Sequence, residues 1–96
     1  MNALERLRRN YRAAFLGYLP SRDEKALDAG YQIGRSAVTE GLSILDLAQV
    51  HHEVLREVLA ASGQDQVDGV TATASDFLIE VLATYEMTRR GYLARS

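Results

Sequence analysis

Cysteine is absent from this sequence, and with it disulfide scaffolds, thiolate metal sites and thiol nucleophiles are excluded; the absence fits a reducing compartment. Proline occurs once, at Pro20, so long helices are permitted on either side of it. No apolar run approaches the roughly 20 residues of a membrane-spanning helix, and Met1 to Arg12 lacks the apolar core of a signal peptide. A cytoplasmic protein without membrane contact is therefore expected. A basic excess is also missing, since net charge is -2. Nucleic acid is accordingly not an expected partner.

Among the residues present, 47% are apolar and 25% charged, a balance that supports one folded domain over residues 1–96. Charge is unevenly spread. Arg6, Arg8, Arg9 and Arg12 make the first turns basic, whereas between Glu40 and Glu80 eight acids face the single base Arg56.

Apolar spacing predicts four helices, and period-two alternation is absent, so the fold class is all-α. Helix 1 is expected over Ala3 to Leu19, with Leu4, Leu7, Tyr11, Ala14, Phe15 and Tyr18 on one face and Pro20 as its stop. Helix 2 is expected from Ser21, through a capping box with Glu24, to about Glu40 before Gly41. Its inner arc is Ala26, Leu27, Gly30, Tyr31, Gly34, Ala37 and Val38, and the two glycines imply close approach of another helix. Helix 3 is capped by Ser43, carries Asp46 in its first turn and ends near Ser62. Leu47, Ala48, Val50, Val54, Leu55, Val58 and Leu59 spread over half its circumference, which predicts that it is the central element. After a loop over Gly63 to Gly69, helix 4 runs from Val67 or Val70 to Tyr92 or beyond, burying Phe77, Leu78, Val81, Leu82 and Tyr85. No stop signal follows Tyr92, so the domain is expected to head a longer protein.

His51, His52 and Glu53 are the one cluster resembling a site, but adjacent helical side chains diverge by about 100° and do not share a face. His51 lies at the centre of the apolar arc. A neutral ring hydrogen-bonded to a neighbouring helix is expected there, with His52 solvated. The carboxylates are assigned to outward faces, and no nucleophile elbow, phosphate loop or dinucleotide fingerprint is found. No catalytic residue, metal ligand or cofactor is assigned. A pocket lined by Tyr31, His51 and Tyr85 is the small-ligand alternative.

Two features exceed what a plain bundle needs. Leu4, Leu7, Tyr11, Ala14 and Tyr18 recur at heptad-like spacing, either as a seam with a second copy or as intramolecular core. On helix 4, Ile79, Ala83 and Met87 point away from the buried arc and are ringed by Asp76, Glu80, Glu86 and Arg90. An apolar strip with a charged rim is the make-up of a transient docking surface, though single exposed apolar residues are ordinary.

The stretches GLSILDLAQVHHEVL (Gly41 to Leu55) and DFLIEVLATYEMTRRGY (Asp76 to Tyr92) resemble the amino-terminal domain of the RsbU family, phosphatase regulators of the bacterial general stress response. The resemblance implies a four- to five-helix, KaiA-like bundle that dimerises and binds a switch kinase of the RsbT type. That kinase would activate a downstream metal-dependent serine phosphatase domain controlling an alternative sigma factor. Carried over by position, the kinase-facing surface falls near Asp28, Gln32, Ile79 and Ala83. The rival reading is a structural dimerisation and signal-transmission module of a multidomain sensor protein.

Overall fold

The structure, a computed structural model, describes residues 1–95. It consists of four α-helices, α1 (Ala3–Ser21), α2 (Glu24–Thr39), α3 (Ile44–Ala60) and α4 (Val67–Arg95), with one 3₁₀ turn, Gln64–Gln66, before α4. No strand occurs among the described residues.

Side-chain caps set the helix starts. The Asn2 side chain accepts from the Glu5 amide at 2.8 Å, and Ser43 and Asp46 exchange reciprocal bonds of 3.1 and 2.9 Å in a full capping box. The start of α2 differs from expectation. Ser21 is the last residue of α1, and Asp23 is the cap, accepting from the Ala26 amide at 2.8 Å. Pro20 does not stop α1 either. It sits inside the last turn, and the helix ends two residues on, where Arg22 takes a left-handed conformation (φ 52°) and donates its amide to the Tyr18 carbonyl. Proline withholds its own donor and crowds the carbonyl four residues back, and α1 extends only one residue beyond it.

The central element is α4, not α3. A stripe on α3 does pack against both α1 and α4, but α4 touches every other helix and packs most extensively on α2. Two glycines permit that pairing. A Cβ on Gly34 would stand 2.6 Å from the Val81 carbonyl oxygen and 2.8 Å from Thr84 Cβ; on Gly30 it would stand 3.2 Å from the Phe77 ring. The two helices run side by side in the same direction, since Gly30 meets Phe77 and Gly34 meets Thr84. Ile33, left out of the inner arc read from sequence, is buried as well.

Phe77 is fully buried beneath Tyr11, Phe15 and Tyr18, whose ring centroids lie 5.2, 5.7 and 5.6 Å away. Leu7, Tyr11 and Tyr18 are buried within the single chain, and Leu4 and Ala14 pack beside them. The heptad-like face of α1 is therefore intramolecular core. Leu4 and Ala14 stay half-exposed at its edge, whereas Leu7, Tyr11 and Tyr18 are covered by the chain's own helices.

The uneven charge has a structural counterpart. Arg8 pairs with Glu53 at 2.7 Å and Arg12 pairs with Glu57 one turn further along both helices, while Arg6 reaches Glu40 at 3.0 Å. These three carboxylates, assigned to a solvated face, line the junctions of the arginines of α1 with α3 and with the end of α2.

Candidate partner-docking surface

On α4 the buried positions Val70, Ala74, Phe77, Val81 and Tyr85 recur every three or four residues, which leaves Ile79, Ala83 and Met87 on the far side. Ile79 is 65% exposed and Met87 72%, and Ala83 is exposed beside them. Two shallow grooves meet along this strip. One, between the start of α3 and α4, contains Ile44, Ile79, Leu82, Ala83, Glu86 and Arg89 over a floor of Tyr85. The other follows the α2/α4 seam and contains Tyr31, Arg35, Glu80, Ala83, Met87 and Tyr92. A further hollow, formed by Glu24, Leu27 and Asp28, continues it through Tyr31 and Glu80.

The rim is only partly neutralised. Glu86 and Arg90 pair at 2.7 Å along α4, whereas Asp28 and Glu80 make no ion pair among the described residues. Asp28, Ile79, Glu80, Ala83 and Met87 thus line a continuous surface, with Glu86 bordering it and its salt-bridge partner Arg90 one turn beyond. Gln32 does not join them. It turns to a separate groove between α1 and α2, with Asn10, Ala29 and Ser36. That change of face follows from the helix rotation, because Gln32 lies about 100° from Tyr31.

Several side chains of this surface were not singled out for it by sequence. Ile44, 46% exposed, extends the apolar strip from the first turn of α3, and the adjacent Leu45 is 76% exposed. Their signal was available, since both fall outside the arc marked by Leu47 and Val50. Tyr31 was placed on the inner arc of α2 but stands at its edge, where its hydroxyl accepts from Arg35 Nη1 at 3.1 Å and its ring lies under the guanidinium.

The histidine cluster is dispersed. Nδ1 of His51 lies 2.7 Å from the Tyr11 hydroxyl, Glu53 is held by Arg8, and His52 is exposed. Burial foremost, and then the neighbouring His52, holds the His51 pKa below its ordinary value. Burial pushes Tyr11 up, so its hydroxyl keeps its proton and can donate to Nδ1 of a neutral His51 ring. The Arg8 hydrogen bond holds Glu53 below the usual carboxylate range. The three-residue ligand pocket is not formed: Tyr85 donates to the Leu42 carbonyl at 2.9 Å, His51 is on α3 against Tyr11, and Tyr31 is on the outer edge of α2. No group of three metal-ligating side chains converges among the described residues. No helix among them is long and apolar enough to cross a membrane.

Fold and surface together define an all-helical bundle whose distinctive exterior is an apolar strip between charged rims. The model of the amino-terminal domain of phosphoserine phosphatase RsbU matches residues 9–88, and the chain belongs to that family, the regulatory and not the catalytic part of such phosphatases. Comparison with curated proteins and with solved structures returned no match.

Proposed function

We propose that this domain regulates a serine phosphatase by docking a protein partner, a switch kinase of the RsbT type, on the outward face of α2 and α4. Family membership supports the regulatory role. The observation that carries the docking face is the exposure of Ile79 beside Ala83 and Met87, an apolar strip left uncovered by the chain's own helices. Apolar anchors inside a charged rim supply most of the retained affinity, and the rim sets association rate and specificity.

In this reading the domain works in the cytoplasm as a homodimer. Kinase docking turns on a metal-dependent phosphatase domain elsewhere in the protein, and the dephosphorylated product frees an alternative sigma factor. A second reading, a structural module that transmits a signal along α4, is favoured by one feature: no residue beyond Tyr85 is buried among those described, so the last turns of α4 add no side chain to the core.

The test is calorimetric titration with the RsbT-type kinase encoded in the same genome. Ile79→Lys should keep helicity and melting temperature but lose about 2 kcal/mol or more of binding free energy. Equal binding by both proteins removes the proposed face. Absence of binding by either supports the structural module.

A further inference from the structure

Arg6, Arg8 and Arg12 on α1 each meet a glutamate, and Arg90 meets Glu86. Arg35 differs. It makes no ion pair among the described residues, and its guanidinium lies against Tyr31, 3.1 Å from the hydroxyl and 5.7 Å from the ring centroid. A guanidinium has five N–H donors in a planar fork, so most of its donors remain available. Stacking on the ring restricts the side chain beforehand, which lowers the entropy lost when a ligand is gripped. The fork borders the same groove as Met87, Ala83 and Tyr92.

The other end of that groove has the opposite sign. Tyr31 and Glu80 line both the Arg35 groove and the hollow that contains Glu24 and Asp28. Asp28 and Arg35 are seven positions apart on α2, about 10 Å along its axis. Between them lies an apolar surface formed by Tyr31 and Ala83. The groove is thus polar at its two ends, of fixed direction, and apolar in the middle.

We infer that this groove receives an amphipathic helix of the partner protein, with Arg35 gripping a partner carboxylate and Asp28 with Glu80 receiving a partner base two helical turns away. A helix lying along the α2/α4 seam presents residues at seven-position spacing to both poles and an apolar residue to the middle. The poles set its direction, because the reversed helix would place like charges at both ends. The inference rests on the docking reading above and assigns that surface an orientation and a specificity residue, Arg35.

Titration of the RsbT-type kinase against wild type, Arg35→Glu, Arg35→Lys and Asp28→Lys, at low and high salt, tests it. All four proteins should melt alike, since both positions are exposed. Arg35→Glu should weaken binding about tenfold or more at low salt, and Arg35→Lys should retain only part of the affinity because it keeps charge without the fork. Asp28→Lys should weaken binding in the same direction, with both losses shrinking at high salt. If wild type and the Arg35 variants bind equally while Ile79→Lys fails, docking stands and the Arg35 anchor is overturned. If Arg35→Glu instead dissociates a homodimer without changing kinase affinity, the groove belongs to a second copy and the inference fails. No binding by wild type overturns the kinase reading and this anchor together.

Discussion

The Tyr11 hydroxyl lies 2.7 Å from Nδ1 of His51, joining α1 to α3 through a half-buried base. The ring accepts this bond only while Nδ1 is unprotonated. Its pKa is lowered from 6.5 in the folded state, so below about that value the unfolded chain binds protons that the folded chain resists. Stability contributed by the neutral ring is therefore complete above about pH 6.5 and is lost as pH falls toward the lowered folded value. Melting temperature should fall between about pH 7 and pH 5. His51→Gln should flatten that slope while leaving the later loss, where Glu53 protonates, in place. An unchanged slope in the variant would assign the titration elsewhere.

Replacing Leu7 or Tyr11 with glutamate should unfold the chain. Both side chains are buried, at 5% and 1% exposure, and an unpaired carboxylate there costs several kcal/mol out of a stability of order 5–15 kcal/mol. Circular dichroism and sedimentation check this. A folded monomer would instead return the α1 face to the role of a dimer seam.

Gly34 and Gly17 should respond oppositely to alanine. A Cβ at Gly34 would meet the Val81 carbonyl oxygen at 2.6 Å, so α2 and α4 must separate, at a cost of about 1–3 kcal/mol despite the better helix propensity. Nothing lies within 4 Å of a Cβ on Gly17, and there alanine should stabilise by roughly 0.5–1 kcal/mol. Chemical denaturation of the two variants measures both signs.

The ion pairs between α1 and α3 should matter little individually. Arg8 and Glu53 side chains are 43% and 39% exposed, so Arg8→Gln should cost no more than about 1 kcal/mol, less in high salt. A loss well above that in high salt would show that the aliphatic stem of Arg8, and not its charge, supports the α1/α3 contact.

Much of the fold was legible because helices bury a periodic stripe and stop at local signals. Ser43 with Asp46, the burial of Phe77, Val81 and Tyr85 and the Gly30 and Gly34 approach are local or single-helix features and stand as read, while Leu78 and Leu82 of the same arc are only half-buried. The exposed positions of Ile79, Ala83 and Met87 follow from the same rotation about one axis. The Ser21 cap was misread because two candidate caps, Ser21 and Asp23, lie within one turn, and only the path of the chain through Arg22 separates them.

By itself the sequence determined four amphipathic helices, their inner faces and the family to which the chain belongs. Tertiary structure alone decided which helix is central, that the α1 stripe meets Phe77 instead of another copy, and that Arg6, Arg8 and Arg12 meet Glu40, Glu53 and Glu57. It also decided that Gln32 parts from Asp28, and that Arg35 and Tyr31 share a groove with Met87. The physical reason is that periodicity fixes where a side chain points relative to its own axis, whereas partners depend on how several axes are placed against one another. That placement arises from contacts between residues distant in sequence, such as Gly34 with Val81 and Tyr11 with His51.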